Sequence, residues 1–160
     1  MKSFDTAGES IETRNDATPE LQRHPPRRIL FLCVHNSSRS QIAEGLARAV
    51  APVATEVWSA GTEPRGVNPY APRVMEEVGI DIRAQTSKLL DQVPWREADT
   101  VVTLCAEGAE ACPVVPGYVR RIHWPLSDPA AAPEAEKLAA FRAARDEIRA
   151  RIAALWPRNR

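Results

Sequence analysis

Arg27-Arg28-Ile29-Leu30-Phe31-Leu32-Cys33-Val34-His35-Asn36-Ser37-Ser38-Arg39-Ser40 is the stretch that decides how this chain folds. Ile29 to Val34 is an unbroken apolar run, too short for a membrane span and without polar alternation. Such a run reads as a strand buried on both faces, as in a parallel sheet. Polar residues follow, and Ser40 is a good N-cap for a helix that carries Ala43 and Glu44 early and runs to about Val50. A buried strand, a tight polar loop and a helix make the first half of a βαβ unit.

Working outward toward the C-terminus, the same alternation continues. Thr55 to Ser59 reads as a second strand, closed by Gly61. Asn68-Pro69 offers a cap and a first-turn proline for a helix over Tyr70 to Val78, stopped by Gly79. Asp99 to Leu104 is a third buried strand, which delivers Cys105. Val119 to Trp124 is a fourth. From Pro133 to Trp156 the apolar positions Leu138, Phe141, Ile148, Ile152 and Leu155 recur at helical spacing, so a long amphipathic helix closes the domain. Strands alternating with helices specify an α/β fold with a four-stranded parallel sheet covered on both faces. Ligands of such sheets bind at the carboxyl ends of strands. Cys33, Cys105 and the residues after Trp124 all lie at such ends.

Working outward in the other direction, Met1 to Pro26 is polar, with few large apolar residues. It reads as a disordered extension before a single domain over residues 27–160. Acidic and basic residues balance at 21 each among 160 residues. That balance supplies no basic field for nucleic acid. No apolar run approaches the roughly 20 residues of a membrane helix, and the N-terminus has no hydrophobic signal core. A cytoplasmic protein is therefore expected, with its thiols kept reduced. Three cysteines are an odd count that suits nucleophilic or redox work, although small buried hydrophobes are the plainer reading of any one of them.

The chemistry concentrates in the loop after the first strand. Cys33 is followed six positions later by Arg39. Between a buried strand and a helix start, the N–H groups of Val34, His35, Asn36, Ser37, Ser38, Arg39 and Ser40 turn into one concavity at a positive helix end. Such a nest suits a tetrahedral dianion, and Arg39 adds a planar fork for two of its oxygens. The same field favours thiolate at Cys33, making it a nucleophile. Asn36 suits a left-handed backbone position. Ser40 either donates its hydroxyl to the sulfur or simply caps the helix. His35 reads as a loop support.

This Cys-x5-Arg-Ser loop after a first strand resembles the anion loop of the low-molecular-weight protein tyrosine phosphatase fold, a three-layer sandwich around a four-stranded parallel sheet. That family's general acid lies in an Asp-Pro pair far downstream, matched by Asp128-Pro129; on its own that pair would be an ordinary turn. A phosphatase needs one cysteine. This chain adds Leu104-Cys105-Ala106-Glu107-Gly108-Ala109-Glu110-Ala111-Cys112-Pro113, and with it resembles the thioredoxin-coupled arsenate reductases that share the fold. Further matching pieces are Ser59-Ala60-Gly61-Thr62, Asn68-Pro69, Gly79-Ile80-Asp81-Ile82, Thr86-Ser87 and His123-Trp124.

The resemblance implies a mechanism. Cys33 attacks arsenate held by Arg39 and the loop amides, Asp128 protonates the departing oxygen, and Cys105 then attacks Cys33 to release arsenite. Cys112 attacks Cys105 in turn, and thioredoxin reduces the resulting bond between Cys105 and Cys112. No bound cofactor or metal is implied; electrons come from thioredoxin, phosphate and sulfate are competing oxyanions, and a monomer is expected. Some members bind potassium beside the loop. Asn36, Glu44 and Ser59 match that site, but Lys88 stands where the acidic ligand would be, so its ammonium is expected in the cation's place. Between Cys105 and Cys112 a partly helical segment is expected to unwind on oxidation.

Three alternatives remain open. A phosphotyrosine phosphatase usually follows its Asp-Pro with tyrosines, whereas Ala130-Ala131 stand here. A zinc site from Cys33, Cys105, Cys112 and His123 lacks the tight Cys-x2-4-Cys pairs zinc prefers. A non-catalytic oxyanion-binding module would leave Cys33 inert.

Overall fold

Strand β1, Arg28–Cys33, runs through the middle of the molecule with Ile29 to Cys33 all 2% exposed or less. In the computed structural model, which describes residues 19–106, 113–117 and 119–157, four parallel strands form one sheet. The others are β2, Glu56–Gly61; β3, Thr100–Thr103; and β4, Arg120–His123. The order is β2-β1-β3-β4. Cys33 is in register with Gly61, and Leu32 with Thr103. The chain therefore leaves β1 and β3, its two inner strands, at the same edge of the sheet.

The strand's two faces bury different partners because side chains alternate along it. Ile29 and Phe31 enter a core shared with α2, Arg39–Val50, α3, Tyr70–Glu76, and α4, Lys137–Ala153. Ile42, Leu46, Val74, Phe141 and Ile148 fill it, and the Phe31 and Trp124 rings lie 6.1 Å apart. Leu30 and Leu32 face the other way, onto Ala60, Val93, Val101 and Val115, with Trp58, Leu90 and Trp95 at the margin. The sandwich is lopsided. Helices α2, α3 and α4 pack together on one face, while the short 3-10 turns Leu90–Gln92 and Trp95–Glu97 cover the other. Burying a side chain such as Phe31 stabilises by roughly 2–3 kcal/mol.

Several boundaries differ from the expectation for physical reasons. Helix α2 begins at Arg39 with Ser38 as N-cap, two residues earlier than a cap at Ser40 would place it. The Ser38 side chain makes no capping bond, and Ser40 is spent on the neighbouring sulfur. Helix α3 stops at Glu76, and Gly79 at φ +80° completes the turn that follows. The C-terminal helix is shorter than Pro133 to Trp156 because Glu134–Glu136 form a separate 3-10 turn. The second strand extends through Gly61 and does not close before it.

The largest difference lies at the N-terminus. The expected extension through Pro26 overlaps α1, Pro19–Arg23, whose Leu21 is 2% exposed in the helix-side core. Trp156 Nε1 donates to the Pro26 carbonyl at 2.9 Å. One leucine and one indole bond therefore tie residues 19–26 to the domain. A single apolar residue in a polar stretch has no periodicity to announce it. Residues 1–18 lie outside the described residues. Among those described, no helix is long and apolar enough to cross a membrane.

Candidate active site

The loop between β1 and α2 is built around Asn36. Its φ of +47° is the left-handed conformation that asparagine tolerates, and its side chain is fully buried. Every polar atom of that side chain is engaged. Nδ2 donates to Ser40 Oγ at 2.7 Å and to Ser59 Oγ at 3.0 Å. Oδ1 accepts from Gln41 Nε2 at 2.9 Å and from the Lys88 amide at 2.8 Å. Because Ser40 Oγ accepts from Asn36, its own hydrogen is left to point at Cys33 Sγ, 2.9 Å away. The Asn36 amide donates to the same sulfur at 3.3 Å. Two donors thus converge on Cys33, the arrangement a thiolate accepts.

Behind Asn36 lies a second cluster. Ser59 Oγ donates to Glu44 Oε1. Lys88 Nζ donates to the Thr86 carbonyl at 2.7 Å and lies 3.5 Å from both Glu44 Oε1 and Ser59 Oγ. Arg48 binds the other Glu44 oxygen at 2.8 Å. Glu44 is 4% exposed, so a buried carboxylate is matched by two cations, as burial requires.

Cys33, His35, Ser37, Ser38, Arg39 and Asp128 line one cleft of about 200 Å³, together with Arg65, Asn68 and Ala130. The Ser37 and Ser38 amides make no hydrogen bond to a described residue, and they lie at the N-terminus of α2. Open amides at a positive helix end are the donors a tetrahedral anion needs. Arg39 is almost fully buried. Its Nη1 donates to the carbonyls of Leu104 at 3.1 Å and Leu126 at 2.9 Å, and its Nη2 lies 4.0 Å from Asp128 Oδ2. One guanidinium thus fixes the ends of β3 and β4 against the anion loop. Asp128 caps the 3-10 turn Pro129–Ala131, its Oδ1 accepting from the Ala130 amide at 3.0 Å, and stays one-third exposed at the cleft.

Val34, Asn36 and Ser40 stand behind the cleft wall. His35 supports the loop, its Nδ1 3.0 Å from the Glu63 carbonyl. Cys105 follows β3 directly and is fully buried and disulfide-bonded, while Cys33 is a free thiol. Cys112 lies outside the described residues, and so does the segment expected to unwind. No group of three or more His, Cys, Asp and Glu side chains among the described residues is placed to hold a metal.

Gln41 and Arg65 escaped the sequence reading, and Ser87 and Gly61 entered it only as parts of matching stretches, with no role at the site. Gln41 Nε2 also donates to the Asn36 and Thr86 carbonyls, and Ser87 Oγ donates to those of His35 and Asn36. Gly61 lies so close to the loop that a Cβ there would sit 2.5 Å from the Val34 carbonyl oxygen and 2.9 Å from the Asn36 amide nitrogen. Arg65 lines the cleft from the segment after β2. A glycine at the end of a buried strand was the available signal for Gly61, and the Thr86-Ser87 match that for Ser87; nothing local marked Gln41 and Arg65.

Residues 28–158 match the family model for low molecular weight phosphotyrosine protein phosphatase. The chain belongs to that family. Within this phosphatase-like family it is 49% identical over 126 residues to an arsenate reductase of Halalkalibacterium halodurans, covering 78% of this chain and 91% of the relative. A solved arsenate reductase in its oxidized state superposes with a TM-score of 0.69 at 35% identity, over 81% of this chain and 95% of that one. The thioredoxin-dependent arsenate reductase of Corynebacterium glutamicum gives a TM-score of 0.64 at 31% identity, over 83% of this chain and 61% of that one.

Proposed function

We propose that this phosphatase-like chain reduces arsenate to arsenite and draws its electrons from thioredoxin. The observation that carries the reading is Arg39. The guanidinium that lines the oxyanion cleft donates to the carbonyl of Leu104, the residue before Cys105. The second cysteine therefore begins at the wall of the first cysteine's site, which a hydrolase has no use for.

In this reading the Cys33 thiolate attacks arsenic, with Arg39 and the amides of Ser37 and Ser38 holding the equatorial oxygens. Asp128 gives its proton to the departing oxygen, which leaves as water. The Cys105 thiolate then attacks the Cys33 sulfur. The S–As bond breaks, its electron pair stays on arsenic, and arsenite leaves as arsenic(III). Two thiols have become the Cys33–Cys105 disulfide, so electrons balance. Attack by Cys112 on Cys105 frees Cys33, and a thioredoxin dithiol reduces the remaining bond. A bonded Cys105 beside a free Cys33 supports this sequence, since it is the state reached once Cys33 has been released. Phosphate and sulfate compete for the same donors. Lys88 takes the place of a cation, its ammonium holding Glu44 and Ser59 and through them Asn36 and Ser40.

The test is arsenite production by the reduced protein with thioredoxin, thioredoxin reductase and NADPH, set against glutaredoxin and glutathione. Turnover only with thioredoxin is expected. Hydrolysis of aryl phosphates without arsenite production would make the protein a phosphatase instead.

A further inference from the structure

The cleft is lined by a second arginine, Arg65, that the mechanism does not use. The segment after β2 is zipped onto the anion loop by three backbone bonds. The Glu63 amide donates to the Val34 carbonyl at 2.8 Å, the Arg65 amide to that of His35 at 3.2 Å, and the Asn68 amide to that of Ser37 at 2.9 Å. This pairing places Arg65 in the lining of the cleft with Cys33, Arg39 and Asp128. Arg65 is exposed. Arg48, Arg83, Arg142 and Arg145 all bind a carboxylate within 3.0 Å; no described carboxylate binds Arg65. Of the residues lining the cleft, Arg39 and Arg65 bring positive charge, and Asp128 is the one carboxyl among them.

In-line attack fixes which ligand atom Arg65 meets. The nucleophile approaches opposite the leaving oxygen. With Cys33 at the base, the other three oxygens turn toward the loop amides and Arg39, and the leaving oxygen faces the mouth. In a free oxyanion that position is a hydroxyl or a charged oxygen. In an ester it is a bridging oxygen carrying carbon.

We propose that Arg65 is a specificity-determining residue, a guanidinium at the mouth that binds the outward oxygen of a free tetrahedral oxyanion and gives no such bond to an organic ester. A charge-assisted bond of this kind favours arsenate and phosphate over aryl esters. The side chain also adds long-range attraction for a dianion, which salt screens because the group is exposed. This inference rests on the arsenate reading for its biological sense, but the selectivity belongs to the cleft and is measured apart from turnover.

The experiment reads protection of Cys33 from iodoacetamide in the fully reduced protein, by mass spectrometry of the Cys33 peptide. The protecting ligands are inorganic phosphate and phenylphosphonate, an unhydrolysable anion with carbon at the outward position. In Arg65→Gln the apparent Kd for phosphate should rise about tenfold, the loss of one charged hydrogen bond, while that for phenylphosphonate rises less than about threefold. Arg65→Lys should recover part of the phosphate affinity and its salt dependence. The urea midpoint and the far-UV circular dichroism should not change, which shows an intact fold. An unchanged phosphate Kd in Arg65→Gln overturns the proposal, as does an equal loss for both ligands. If the wild-type protein makes no arsenite with thioredoxin yet shows the phosphate effect, the reductase reading fails and the role of Arg65 stands.

Discussion

The two walls of the cleft are held in different ways. On the side of the proposed nucleophile, Cys33, Asn36 and Ser40 are at most 2% exposed, and Asn36 alone makes four side-chain hydrogen bonds to residues from three parts of the chain. On the side of the proposed acid, Asp128 has a one-third exposed side chain, one bond to the Ala130 amide, and a 4.0 Å approach to Arg39. The difference follows from what each wall must do. An oxyanion nest works only if its donors stand in place before the ligand arrives. A proton donor must reach a leaving oxygen and water alternately, and needs an open, lightly held position. Changes in the first wall should cost structure and activity together; changes in the second should cost activity alone.

The largest effect tests whether the tightly held wall carries all the chemistry. Cys33→Ser should abolish arsenate reduction and any aryl phosphatase activity, since both begin with the same thiolate. Cys105→Ser and Cys112→Ser should abolish repeated turnover and leave phosphatase activity in place. A folded Cys112→Ser protein without that residual activity would break the relay.

Next in size, Asp128→Asn should lower kcat by about 10²- to 10⁴-fold. The unfolding free energy should hold within about 0.5 kcal/mol, because asparagine keeps the cap to Ala130. A large stability loss would erase the contrast between the walls.

Gly61→Ala sharpens it from the other side. The new methyl meets backbone of Val34, Asn36 and Cys33 at 3.0 Å or less, where nothing can yield cheaply. Urea unfolding should show a loss of about 1–3 kcal/mol, with phosphate protection of Cys33 weakened as well.

A smaller effect concerns the support behind the tight wall. Arsenate reduction should respond equally to potassium and sodium at fixed ionic strength, and Lys88→Asp should create a potassium-specific rise. Clear potassium activation of the wild type would contradict the ammonium's role.

The smallest effect lies away from both walls. Glu77 follows α3 and binds Arg142 and Arg145 of α4, whose guanidinium hydrogen bonds hold its carboxyl at about 2. A depressed carboxylate stabilises fully above its unfolded value and loses that contribution as pH falls toward about 2. Acid unfolding of Glu77→Gln should therefore be less steep between about 4.5 and about 2, with activity near neutrality unchanged.

The sequence alone determined the features that local physics dictates. The apolar run Ile29 to Val34, the polar loop and the helix after it specify strand, anion nest and nucleophile, because burial and backbone geometry over about a dozen residues leave few alternatives. The spacing of four strands specifies the parallel sheet, and three cysteines with Asp128-Pro129 point to the proposed chemistry by their match to a known pattern. What the tertiary structure decided are the bonds that cross the chain. Ser40 had two readings until Asn36 took its oxygen and turned its hydrogen to Cys33. Arg39 reaches carbonyls 65 and 87 positions away, and Leu21 finds a core that its polar neighbours conceal. Such contacts depend on which strands lie side by side, and the order β2-β1-β3-β4 is set by the packing of the whole domain, not by any segment within it.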